Sequence, residues 1–245
     1  MPPKDSDSDD SEPDNKIVLP KRWHDMTPRE RAMMGVQAQF DRYHKIARAT
    51  GYTGHDMRLM SELKLLDASL GPPHSSTTSK ISSPSSPPSS PSPSPPEIPA
   101  LPQPSILATA TFALTISPHY GNINNVLHGG AVALIMDMVT TAAIGPLAKK
   151  GYWEFLAGVT RTMSTNYLKS IPVGTLVHVH GHVMGLGKNM SFIKGFITSP
   201  DGKIVYVTCD VNKVGLPAKT EHMGYRVEWD EIWEDKAEGE GKAKL

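Results

Sequence analysis

The residues best placed to do chemistry lie near the middle of the chain. Leu127-His128-Gly129-Gly130 is followed by a long apolar run in which Asp137 is the only formally charged residue before Lys149. A carboxylate is costly to bury among apolar groups, so one kept there is a candidate functional group, such as a base. The glycines stand where a helix would begin. A helix start offers unpaired N–H groups and about half a positive charge, and Gly129 lets a partner approach that backbone closely. An oxyanion donor and a base are what attack of water on a carbonyl requires. Eight residues separate Gly129 from Asp137, about 12 Å along one helix, so the two cannot serve the same carbonyl within one chain. If both act, Gly129 of one subunit faces Asp137 of another, and the site lies across a dimer interface in two equivalent copies.

Each of these residues also has a plainer reading. Asp137 could sit in a structural ion pair, and Gly129-Gly130 could serve close helix–strand packing. His128 is read as orienting its loop through a side-chain hydrogen bond, and Asn122 could simply stabilise a turn. His178, His180 and His182 share one strand face with neighbours about 6.8 Å apart, too far to close readily on one ion. They are read as a polar sheet face or subunit contact, with no metal. Cys209 alternates with Val207 and Val211 and is read as core, and Gly185-Leu186-Gly187 as a turn. No G-x-S-x-G elbow is present.

The elements around these residues follow from periodicity. Gly129 to Gly145-Pro146 reads as one helix buried on most sides. As a membrane span it would put Asp137 near mid-bilayer, at about 2.5–3.5 kcal/mol, so a buried core helix is the better reading. Before it, Ile106, Ala108, Ala110, Phe112, Leu114 and Ile116 alternate with threonines as a strand. A polar loop from Ser117 to Val126 follows. After the helix, strands are expected at 155–168, 175–186, 190–198 and 203–214, joined by short antiparallel connections. The fold class is α+β, a five-stranded antiparallel sheet wrapped around one long central helix.

The flanks divide further. Residues 1–22 read as a disordered acidic tail, in which Ser6, Ser8 and Ser11 stand in acidic context. Residues 23–71 read as an amphipathic helical segment. Thr27-Pro28-Arg29-Glu30 starts one helix that carries Met33, Val36, Phe40, Tyr43 and Ala47 and ends at Gly51; a second is expected from about His55 to Leu70. These helices are expected to dock on the main domain or on a partner. In 72–104, 23 of 33 residues are Pro or Ser, the composition of a linker, with several Ser-Pro steps. The main domain spans 105–216, and 217–245 is a charged C-terminal tail in which Trp229 and Trp233 could be tacked down.

Composition narrows the function classes. The formal net charge is +0 over 245 residues, so phosphate-driven binding of nucleic acid is not expected. A single cysteine excludes an intramolecular disulfide and suits a reducing compartment. The acidic N-terminus does not read as a secretory or transit signal, which points to a cytoplasmic protein.

Over about 105–216 the residues resemble the hotdog-fold thioesterases, specifically the PaaI-like acyl-CoA thioesterase group. The likeness rests on Asn122, Leu127-His128-Gly129-Gly130, Asp137, Val159-Thr160, the run from Asn166 to Gly174, and Gly187-Lys188. It implies hydrolysis of acyl-CoA with no cofactor. The Gly129 N–H would polarise the thioester carbonyl and Asp137 would act as general base or nucleophile. Asn122 would help position water or substrate, and Thr160 would stand where close relatives carry a serine that supports the attacking water. His128, Gly130 and Lys188 would contact substrate, Lys188 through coenzyme A phosphates. A homodimer or homotetramer is implied. The alternative from another class is a non-catalytic acyl-ligand-binding or scaffold module.

Overall fold

The computed structural model describes residues 22–72, 105–154 and 158–232. Helix α1 (Pro28–Thr50) opens on a capping box, with Thr27 and Glu30 each bonding the other's backbone N–H, and closes on Gly51 at φ 66°. Both signals are local chemistry, which is why this helix can be read directly from sequence. Its buried face includes Ala32, Val36, Phe40, Tyr43 and Ala47.

A short helix α2 (Met57–Glu62) follows, and then the chain turns extended as β1 (Lys64–Leu70). This corrects the expected helix at 55–70. Leu59, Leu63, Leu66 and Leu70 have helical spacing, yet Leu66 and Leu70 are exposed, while Ala68 and Ser69 are fully buried. The open edge of β2 (Ala108–Thr115) supplies backbone partners from Lys64↔Ala113 to Leu70↔Ala108. Unpaired backbone on both sides outweighs a weak seven-residue helix preference.

The remaining elements are α3 (Gly129–Ala142), β3 (Val159–Tyr167), β4 (Leu176–Leu186), β5 (Met190–Thr198), β6 (Val205–Val214) and a single turn of helix, α4 (Thr220–Met223). All strand pairs are antiparallel, in the order β1-β2-β4-β5-β6-β3. The sheet therefore has six strands, one more than expected, and β1 is the addition. With α3 packed in its concave face it is a hotdog fold. Of the expected strand at 155–168, residues 155–157 lie outside the described residues, as do 1–21, 73–104 and 233–245.

Close approach decides where α3 sits. Gly181 and Gly195 are cross-strand partners, and a Cβ on either would come within 2.8 Å of Ala143 Cβ or 2.7 Å of Met136 Sδ. With its 3-10 end, Gly129–Leu147 is long and apolar enough to cross a membrane by length and composition. Here it is packed inside the sheet: Val132, Ile135, Met136, Val139 and Ala142 are all buried.

The flanking segments pack against the same body. Arg29 Nε pairs with Asp67 at 2.7 Å, and Gly71 N–H bonds Leu107 carbonyl at 2.9 Å, so β1 and β2 are direct neighbours on either side of 73–104. The segment after 217 is not simply a charged tail. Trp229 lies 5.8 Å from Trp23 between ring centres, Val227 and Ile232 are buried with them, and Arg42 pairs with both carboxylate oxygens of Asp230. Trp233 lies outside the described residues.

Gly35 and Gly145 let α1 approach the end of the core helix closely. A Cβ on Gly145 would stand 2.4 Å from Gly35 carbonyl oxygen and 3.0 Å from Val36 Cα. Backbone cannot yield as a side chain can. Gly145→Ala is expected to cost about 1–3 kcal/mol, measured as a lower urea midpoint. An unchanged midpoint would mean that α1 is not held by this contact.

Candidate functional site

Asp137 lies in the third turn of α3 with its side chain 38% exposed. Lys213, from β6, is 3% exposed and places Nζ 2.7 Å from Asp137 Oδ1 and 2.7 Å from Thr160 Oγ1. It also reaches Asp137 carbonyl oxygen at 3.4 Å. Thr160 donates its hydroxyl to the same Oδ1. Among the described residues, every hydrogen bond to this carboxylate falls on Oδ1.

The strands account for this convergence. Thr160 and Lys213 are register partners on β3 and β6, and the pairing slips between Thr160 and Thr162. Such a bulge re-aims a side chain and often borders a functional site. Along β6 the buried positions are Val207, Cys209, Val211 and Lys213. Burial pushes the Lys213 ammonium below the ordinary lysine range, while Asp137 beside it acts in the opposite direction.

A second group of residues gathers at the start of α3. His128 is its N-cap, and His128 Nδ1 accepts the Gly130 N–H at 2.9 Å. Gly129 N–H belongs to the first turn, whose donors have no acceptor within the helix. Tyr167 donates its hydroxyl to Gly129 carbonyl oxygen at 3.0 Å. Gly129 and Tyr167 line a groove of about 280 Å³ with Leu127, Val132, Ile171 and Val207. Asn122 Oδ1 accepts Asn124 N–H at 2.9 Å, and its backbone bonds Val126 and Asn125, so its polar groups hold the turn that leads into Leu127. Lys188 is exposed in the β4–β5 turn.

The structure thus brings Asp137 and Thr160 together, and separately Gly129, Gly130 and His128. These two groups sit at opposite ends of β3, since Thr160 and Tyr167 are seven residues apart, about 23 Å of strand. Lys213 and Tyr167 are the residues that sequence reasoning did not assign. Lys213 had a readable signal: it continues the inward period of Val207, Cys209 and Val211, and lysine is almost never fully buried without a partner.

The family comparison falls on this same region. Residues 124–206 match the family model of the Thioesterase superfamily. This segment is a thioesterase-superfamily domain. The matched residues of the thioesterase domain include Gly129, Asp137, Thr160 and Tyr167, but not Lys213. The Caenorhabditis elegans protein named "Putative esterase F42H10.6" is 30% identical over 93 residues, covering 37% of this chain and 52% of its own. The chain therefore spans about half the length of that curated relative. Zebrafish Thioesterase Superfamily Member 2 aligns at 17% identity, covering 70% of this chain and 94% of its own, with a TM-score of 0.47. The E. coli PaaI protein aligns at 15% identity over 45% and 75% respectively, with a TM-score of 0.39.

The three histidines lie away from both groups. His180 bonds Thr111 through Nδ1 at 3.0 Å and Thr198 through Nε2 at 2.9 Å, which occupies both ring nitrogens. Burial first, then His182 and His178, push His180 down to about 4. The unfolded chain takes up this proton below about pH 6.5, but the folded one does so only near pH 4. Stability from this group is therefore full above pH 6.5 and is lost as pH falls through that window, by about 3 kcal/mol in all. Urea unfolding at pH 7.5 and 4.5 is expected to show a smaller acid loss in His180→Gln than in the unaltered protein. Equal losses would refute it.

Proposed function

We propose that the domain hydrolyses acyl thioesters of coenzyme A at a site shared between two copies of the chain. The observation that carries the reading is the placement of a carboxylate with one oxygen outside its hydrogen-bond network at one end of β3, and a helix start lining a groove at the other. β3 is an edge strand, with Val159 and Tyr167 more than half exposed, and an unpaired edge is a template for another strand. Antiparallel pairing of two β3 strands about their middle would set Thr160 of one copy opposite Asn166 of the other, next to Tyr167. Asp137 of the first would then face the groove and Gly129 of the second.

In the proposed reaction, water oxygen bonds to the thioester carbon as its proton passes to Asp137 Oδ2. The carbonyl electron pair moves onto oxygen, where the Gly129 N–H of the second copy holds it. Collapse re-forms the carbonyl, breaks the carbon–sulfur bond and releases coenzyme A thiolate, which recovers the proton from Asp137. Asn122 supports the loop entering the helix start, while Lys188 is available to coenzyme A phosphates.

One observation favours a second reading. The Asp137–Lys213 pair is also what a purely structural ion pair would look like, and a domain built that way would bind acyl ligands without turning them over. Thiol release from short, long and aromatic acyl-CoAs by the full chain separates the two. Turnover supports the hydrolase; binding without turnover on any thioester overturns it.

A further inference from the structure

We propose that Lys213 is a positioning residue of this site, which selects Asp137 Oδ2 as the oxygen that takes the proton and turns Thr160 into an acceptor for the attacking water. The inference rests on the hydrolase reading above. A hydroxyl has one donor and two acceptor positions. The Thr160 hydroxyl donates its one hydrogen bond to Asp137 Oδ1, and one of its lone pairs accepts a hydrogen bond from Lys213 Nζ at 2.7 Å. Only one acceptor position is left. A water that gives one hydrogen to Oδ2 and the other to Thr160 has both protons directed and a lone pair free for the carbonyl carbon. Thr160 does not donate to that water, so its part is to orient it.

The ammonium also sets the rotation of the carboxylate. Two of its three protons are committed to Asp137 Oδ1 and Thr160 Oγ1, with Asp137 carbonyl oxygen at longer range, and its stem is buried in the strand face that packs under α3. An apolar side chain of similar length would leave the carboxylate held only by the threonine and free to turn. Among the described residues, the titratable groups that face Lys213 are Asp137 from α3 and Cys209 from its own strand. Its register partners on β3 and β5, Thr160 and Ser191, are uncharged.

The test uses the full chain with Lys213→Met. Turnover is expected to fall roughly 10- to 100-fold in kcat, the scale of a misplaced reacting group, with KM little changed. The alkaline limb of kcat that reports loss of the Lys213 proton, below the ordinary lysine range, is expected to disappear. A readout independent of activity is the ¹³Cε resonance of Lys213 in lysine-labelled protein, identified by its absence from the Met variant. Its titration midpoint is expected to lie below that of the surface lysines and to drop further in Asp137→Asn, which removes the charge that favours the ammonium. An active unaltered protein whose Met variant keeps kcat and the alkaline limb would overturn the role of Lys213 alone. A resonance that titrates with the surface lysines and ignores Asp137→Asn would do the same. Coupled titration in a protein that hydrolyses no thioester would overturn the hydrolase reading and leave the pair as structure, not positioning.

Discussion

Asp137→Asn is expected to lower kcat for thioester hydrolysis by about 10²- to 10⁴-fold, the usual contribution of a positioned general base. The substitution nearly preserves shape. Asparagine Oδ1 can still accept from Lys213 and Thr160, but the amide that replaces Oδ2 cannot take a proton from water. Substrate contacts through the groove near Gly129 are untouched, so KM is expected to change little. Stability will also respond, because a buried Lys213 loses its counter-charge. Breaking a fully buried pair costs about 3–5 kcal/mol; the figure here is smaller, since the Asp137 side chain is 38% exposed. Thiol release should therefore be read alongside a urea melt and an oligomer size measurement on the same preparation. Retained turnover in a folded variant would remove Asp137 from the mechanism.

Gly129→Pro is the second large effect, and it replaces the N–H with a ring carbon. Proline has no N–H, yet it is well accepted at the first position of a helix. The residue before it must be extended, and His128 already is, at φ −69° and ψ 136°. The added Cβ would meet the Tyr167 hydroxyl at 3.6 Å, ordinary van der Waals contact. The expected loss is about 10²- to 10³-fold in kcat, as for one oxyanion donor.

Mixing the two inactive variants then tests the shared site. In a mixed dimer, the Asp137→Asn copy supplies an intact Gly129 and the Gly129→Pro copy an intact Asp137, so one of the two sites is whole. With equal amounts and free exchange, half the dimers are mixed, and about a quarter of unaltered activity should return. No recovery after confirmed subunit exchange would mean that each site lies within one chain.

Much of this architecture was legible because it is local. Thr27, Pro28, Glu30 and Gly51 delimit α1 through bonds to their own backbone. The alternation along β2 and β4 to β6 reports which face is wet, and the apolar run after His128 reports a helix enclosed by something. The lone carboxylate in that run and the glycines at its start stood out for the same reason: each breaks the composition around it. The second helix failed on its own terms. Four leucines at helical spacing are local evidence, but the edge of β2 offered seven residues of backbone pairing from far along the chain, and the segment became β1.

The central helix, most of the sheet, and Asp137 as the residue that must answer for its charge all follow from local composition and spacing. What answers that charge is set by packing between distant parts of the chain. Lys213 lies 76 positions beyond Asp137 and meets it because β6 and β3 pair beside α3 with a slip at Thr160. That β3 is left at an edge was likewise invisible before folding, since it depends on how all the strands pair. An ion pair and an open edge are both contacts between distant parts of the chain, and neighbouring residues carry no record of them.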